Sequence, residues 1–156
     1  MSIENNPLKQ YFRRPSIYLK LPSKGLGYPP GVVDIPETGE LPVYPMTAID
    51  EITSKTPDAL YNGTAVAEII ASCVPSIKKP WDIISTDLDA ILVAIRIATN
   101  GNEMDIDTDC PACNEENKFG INLSIVLNNF IPGDYGTTLD VNDLKIKFKP
   151  LSYKEI

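Results

Sequence analysis

Residues Met46–Gly101 read MTAIDEITSKTPDALYNGTAVAEIIASCVPSIKKPWDIISTDLDAILVAIRIATNG, the one stretch with enough helix-period apolar residues to seed a core. Its punctuation divides it into helices. Thr47 precedes Asp50 by three residues, with Glu51 next, a cap followed by first-turn acids that predicts a short helix to about Lys55. Thr56-Pro57-Asp58 restarts the chain with proline at a first helical position, and Asn62-Gly63 stops it. Thr64 is the expected cap of a third helix, with Val66, Ile69, Ile70 and Cys73 at core spacing and Pro75 beyond its end. Cys73 reads as a small buried apolar residue. Thr86 with Asp89 predicts one more capped start. After it, Leu88, Ile91, Leu92, Ile95 and Ala98 form one apolar face, and Val93 and Ile97 add a second side. Each buried Leu or Ile contributes about 1.5–3 kcal/mol, so this last helix is expected to supply the largest share of the core, with Ile95 as its test position.

Upstream, residues 1–45 hold eight of the fourteen prolines. Proline removes a backbone donor and fixes φ, which excludes a long helix or a central strand. Ser16–Leu21 alternates as a strand with Ile17, Leu19 and Leu21 on one face. Val32–Ile35 and Leu41–Tyr44 flank Glu37-Thr38-Gly39-Glu40 and are expected to pair as a hairpin, with Gly39 at positive φ. Lys24-Gly25-Leu26-Gly27 lacks phosphate-loop spacing and reads as a turn.

Downstream of Glu103 the period becomes alternating. Met104–Thr108 and Lys118–Leu123 are expected strands around a tight Cys110-Pro111-Ala112-Cys113-Asn114 turn, followed by a short helix over Ser124–Phe130. Thr137–Val141 and Leu144–Phe148 predict a second hairpin across Asn142-Asp143, with Leu144, Ile146 and Phe148 inward and Lys145, Lys147 and Lys149 outward. Ser152 with Glu155 makes a capping box, from which the chain is expected to continue past Ile156.

Composition narrows the function classes. The 156 residues carry 43% hydrophobic and 22% charged side chains, the balance of a globular protein. A net charge of −7 disfavours nucleic acid as a partner. Lys9, Arg13, Arg14, Lys20 and Lys24 stand against Glu4 alone in the first 24 residues, so a basic arm precedes an acidic body and suits an acidic neighbour, another copy, or simply solvent. The opening MSIENNPLKQ is polar, so no secretory leader is expected. The apolar run Ala90–Ile95 falls far short of the ~18–20 residues of a membrane span, so no membrane association is expected. Three cysteines then imply a reducing compartment with free or metal-bound thiols. The chain has no histidine, which removes Ser-His-Asp and Cys-His chemistry and imidazole metal ligands; no enzyme activity is expected.

Three groups stand out as site candidates. Cys110 and Cys113 form half a zinc knuckle, lacking a second pair; the alternative is a turn with free thiols, and no other cofactor is expected. Asp82, Asp87, Asp89, Asp105, Asp107 and Asp109 read as helix-start acids or a solvated strand face rather than a metal site. Tyr11, Phe12, Arg13, Arg14 and Tyr18 mix aromatics with arginines and are the expected interface anchors.

Several ordered blocks carry a family resemblance: Tyr11-Phe12-Arg13-Arg14-Pro15, Tyr18–Ser23, Tyr28-Pro29-Pro30, Pro45–Glu51, Thr56–Leu60, Ser72–Pro75 and Asp87–Leu92. Together they resemble the T-even-type bacteriophage baseplate hub proteins, over Tyr11 to Ile156. The resemblance implies a non-enzymatic structural component of a contractile tail, present in the host cytoplasm during assembly and in the virion baseplate. Its implied partners are other baseplate and hub proteins, with self-association a further option; a transient hub assembly chaperone and a zinc-ribbon-like module are the rival readings. The expected fold is α+β: a proline-rich arm with edge strands (1–45), a helical core (46–101, its helices over about 47–100) and hairpins packed with it (102–156).

Overall fold

Local cap chemistry sets most element boundaries in the computed structural model, which describes residues 13–131 and 136–156. Helix α1 (Ala48–Thr53) opens on a reciprocal box in which the Thr47 N–H donates to Asp50 Oδ2 at 2.7 Å and the Asp50 N–H donates to Thr47 Oγ1 at 3.3 Å. Helix α2 (Pro57–Tyr61) starts on its proline and stops at Asn62. Gly63, at φ 75°, is then the N-cap of α3 (Thr64–Cys73). The expected cap Thr64 is instead the first helical residue, its hydroxyl donating to Asn62 Oδ1. Helix α4 (Ser85–Asn100) likewise begins ahead of Thr86, with Ile84 as N-cap, and its 16 residues span about 24 Å before Gly101 closes it at φ 87°.

The strands form three two-stranded antiparallel sheets: β1 (Ile17–Leu19) with β2 (Leu41–Val43), β3 (Glu103–Asp109) with β4 (Glu116–Asn122), and β5 (Thr138–Val141) with β6 (Leu144–Lys147). Helix α5 (Leu123–Asn128) follows β4 directly, capped by the Asn122 side chain. The architecture is α+β.

The first sheet corrects the expected pairing of 32–35 with 41–44. Val43 faces Ile17, and the Val32–Ile35 segment is engaged elsewhere: Val33 bridges Ile77, the Lys78 N–H donates to the Val32 carbonyl and the Asp34 N–H to the Ser76 carbonyl, both at 2.8 Å. Gly39 does take positive φ, in a turn closed by its own N–H on the Pro36 carbonyl. The proline-rich segment is thus sewn into the core, since Leu19, Leu21, Val32, Leu41 and Val43 are all buried with Ile69, Ile70, Val74, Ile77, Ile83, Ile91 and Ile95.

Residues 151–155 return to the same core. Ser152 bridges Ile84, the Tyr153 N–H donates to the Ile83 carbonyl at 2.7 Å, and the Tyr153 ring stacks on Trp81 at 5.2 Å between centroids. The Ser152–Glu155 box closes on a 3₁₀ turn, Tyr153–Glu155, within the chain itself. The β5–β6 hairpin has the expected register across Asn142, at φ 49°, but its apolar side chains are not inward: Leu144 is 67% and Phe148 56% exposed. No core residue among those described lies beneath them.

Candidate interaction surfaces

The two polar knots of the core fix what the arm can do. Arg13 reaches past Tyr44, whose ring centroid lies 5.7 Å from the guanidinium carbon, into the junction of α1 and α3. Its Nη1 donates to the Ser72 carbonyl at 3.0 Å and Oγ at 3.1 Å, its Nη2 donates to the Pro45 carbonyl and to Cys73 Sγ, and Asp50 Oδ2 lies 3.6 Å away. Burial raises the Asp50 carboxyl, but the Thr47 N–H and hydroxyl, the Ser72 hydroxyl and the Arg13 charge outweigh it and hold Asp50 below the usual carboxylate range. Burial pushes the Cys73 thiol up, against the pull of Arg13. Of the expected anchors, Arg13 therefore binds its own chain, whereas Arg14 is exposed and Tyr18 is 62% exposed. Tyr11 and Phe12 lie outside the described residues.

Sequence reasoning missed the second knot. Asp87, expected as a helix-start acid, is in the first turn of α4 and fully buried. It accepts from the Ser23 N–H at 2.8 Å, the Ser23 hydroxyl and the Tyr28 hydroxyl at 2.8 Å. A buried carboxylate needs this density of donors. Burial, then the Asp87 charge, pushes the Tyr28 hydroxyl far above its ordinary value. The available signal was weak: Ser23 follows an apolar strand, and Asp87 precedes Leu88 on the inward side of α4.

The hairpins present the opposite character. On β3–β4, Met104, Ile106, Phe119 and Ile121 share one face, and Glu103, Asp105, Asp107 and Asp109 share the other. On β5–β6, Leu139, Val141, Leu144 and Ile146 share a face, opposite Lys145 and Lys147. Leu139, Val141, Leu144, Ile146, Met104 and Phe119 are all exposed. Helices α1 and α2 add exposed Ile49, Ile52, Leu60 and Tyr61.

The tip of β3–β4 carries Cys110 and Cys113, both free. The Cys110 N–H donates to the Glu115 carbonyl at 2.9 Å, the Asn114 N–H donates to the Cys110 carbonyl at 2.8 Å, and Asn114 sits at φ 54°. Backbone N–H groups of Ala112 and Cys113, then the Cys113 thiol, donate to the Cys110 sulfur and hold that thiol below its ordinary value. Cys73 is buried at the Arg13 knot and takes no part. The aspartates do not converge either: Asp82 pairs with Lys154 and Asp107 lies 4.0 Å from Lys118. Among the described residues no group of three or more His, Cys, Asp or Glu could hold a metal, and no helix is long and apolar enough to cross a membrane.

The helical core and the two hairpins that follow it fall in the region matched by one family model, described as T4 bacteriophage base plate protein, over residues 30–156. The chain belongs to that family. No curated protein and no solved structure matches it. As a base plate protein it is a component of a phage tail, and its working partners are other tail proteins. The match covers the α4 core, the Cys110 turn and both hairpins, and begins after the β1 strand.

Proposed function

We propose that this base plate protein is a non-enzymatic hub component that acts in tail assembly through contacts made by its two hairpins, with Arg14 and Tyr18 as a secondary surface. The observation that carries this reading is the uncovered apolar face of β5–β6, where Leu144 is 67% exposed on a hairpin of two four-residue strands. An isolated two-stranded hairpin is marginal in water and gains stability by packing a face or pairing an edge. In the assembled hub, neighbouring subunits cover that face, and the outer lysines Lys145, Lys147 and Lys149 favour an acidic partner surface. The chain has no histidine, and a surface cleft among the described residues is lined by Asp34, Ile35, Pro36, Pro42, Tyr44, Pro75, Ser76 and Lys78, a set without an activated nucleophile.

The decisive experiment introduces Leu144→Asp together with Ile146→Asp. The variant should keep its circular dichroism and melting behaviour yet fail to enter base plate intermediates recovered from infected cells. Normal incorporation of a folded variant would overturn the reading. Mass spectrometry of purified particles checks retention: this chain should be found among the virion proteins, and its absence would make it an assembly factor instead.

A further inference from the structure

The Cys110–Cys113 turn closes a long, regular hairpin. The β3–β4 ladder runs through seven consecutive pairs, from Glu103 with Asn122 to Asp109 with Glu116, and delivers the turn at its end. There, the Cys110 N–H donates to the Glu115 carbonyl at 2.9 Å, the Asn114 N–H donates to the Cys110 carbonyl at 2.8 Å, and left-handed Asn114 folds the chain back towards β4. The ladder and these two turn bonds hold two free thiols, two residues apart, at one hairpin tip, which is the arrangement of half a metal knuckle. Cys113 is exposed and Cys110 partly so, which leaves the sulfurs open to a ligand.

The ligand count is incomplete within one chain. Tetrahedral Zn²⁺ takes four nitrogen or sulfur donors. The chain has no histidine, Cys73 is buried beneath Arg13, and the described residues offer no third donor beside the pair. A two-fold axis through the metal supplies the missing donors from the same turn of another copy, since an isologous contact repeats each half-site.

We infer that Cys110 and Cys113 form half of a tetrahedral thiolate site for a thiophilic divalent cation, zinc foremost, completed by the same two residues of a second copy, so that the metal joins two chains tip to tip. Four thiols release four protons to solvent as four zinc–sulfur bonds form; no electrons are transferred. The flanking acids Asp109, Glu115 and Glu116 attract the cation to the first pair and repel the second chain. Metal is therefore required for the joining, and added salt, which screens the repulsion, strengthens it. This inference does not depend on the proposed role of the hairpin faces.

The test uses the 156-residue chain, reduced and freed of metal, titrated with zinc while mass and bound metal are measured together. Uptake should saturate at about one zinc per two chains, the mass should double from the monomer's 17.2 kDa, and cobalt(II) in place of zinc should give the intense visible absorption of a tetrahedral thiolate site. Cys110→Ser and Cys113→Ser should each abolish uptake and dimer while leaving the far-ultraviolet circular dichroism unchanged; Cys73→Ala should retain both. One zinc per monomer, uptake indifferent to Cys110→Ser, a zinc-independent dimer, or no uptake at micromolar zinc would each overturn the proposal.

Discussion

The stitched core and the two hairpins obey different rules although they belong to one chain of 156 residues. Around α4, the buried carboxylates are met by donors: Asp87 accepts from Ser23 and Tyr28, and Asp50 from Thr47 and Ser72 beside Arg13. On β3–β4 and β5–β6, apolar and polar side chains alternate, yet Met104, Phe119, Leu139, Val141, Leu144 and Ile146 stay exposed. A region that buries its apolar side chains sits beside one whose apolar side chains are largely exposed. The difference teaches where stability and assembly each reside, and it can be broken at named residues.

The largest effect should come from Ile95→Asp. Ile95 is 3% exposed in the middle of α4, so a carboxylate there has neither water nor a donor, and a loss above ~4 kcal/mol should abolish soluble folding. Soluble, cooperatively melting Ile95→Asp protein would show that the core is not where α4 places it. Asp87→Ala comes next. It orphans the Ser23 N–H and the hydroxyls of Ser23 and Tyr28, and should lower the urea-derived stability by about 3 kcal/mol; a change below ~1 kcal/mol would mean that water reaches the knot.

Gly63→Ala should cost about 1–2 kcal/mol. Gly63 sits at φ 75°, and an added Cβ would lie 2.7 Å from the Tyr153 hydroxyl, which donates to the Gly63 carbonyl. A shift in thermal melting measures it, with Tyr153→Phe separating the steric part from the hydrogen bond. The smallest effect is pH-dependent. Because its donors hold Asp50 below the unfolded carboxylate value of about 3.9, its contribution is present in full above that value and is lost as pH falls through the lower folded one. Asp50→Asn should therefore flatten part of the acid limb of the stability curve, and an unchanged limb would remove Asp50 from the account.

What could be read from the residues was what they encode over short range. The capping box at Thr47, the Gly63 and Gly101 stops, the apolar stripe of α4 and the two-against-two register around Asn142 all follow from neighbours within about one turn. The mispaired β2 was a long-range matter: nothing in Leu41–Val43 distinguishes Ile17–Leu19 from Val32–Ile35 as a partner until Ser76 and Lys78 claim the latter. Asp87 does stand in the first turn of α4 as expected, but its burial was out of reach for the same reason, since such an acid suits the dipole whether or not Ser23 arrives to bury it. The inward reading of Leu144 and Phe148 assumed that an apolar face implies a core of its own chain, which the exposed hairpin does not have. The basic segment is not a free arm over its whole length either, because Leu19, Leu21 and Ser23 hold the core together.

The contacts that close the core span long stretches of chain: 60 residues from Arg13 to Cys73, 64 from Ser23 to Asp87 and 90 from Gly63 to Tyr153. Closing loops of that size precedes any reward from the contacts, so such topology folds slowly. The last of them forms only after residue 153 has been synthesised, while the apolar strands of both hairpins are already available to other chains. Trp81, the one tryptophan, stacks on Tyr153 at that final seam. Its fluorescence is a built-in clock for the moment the nascent protein shuts.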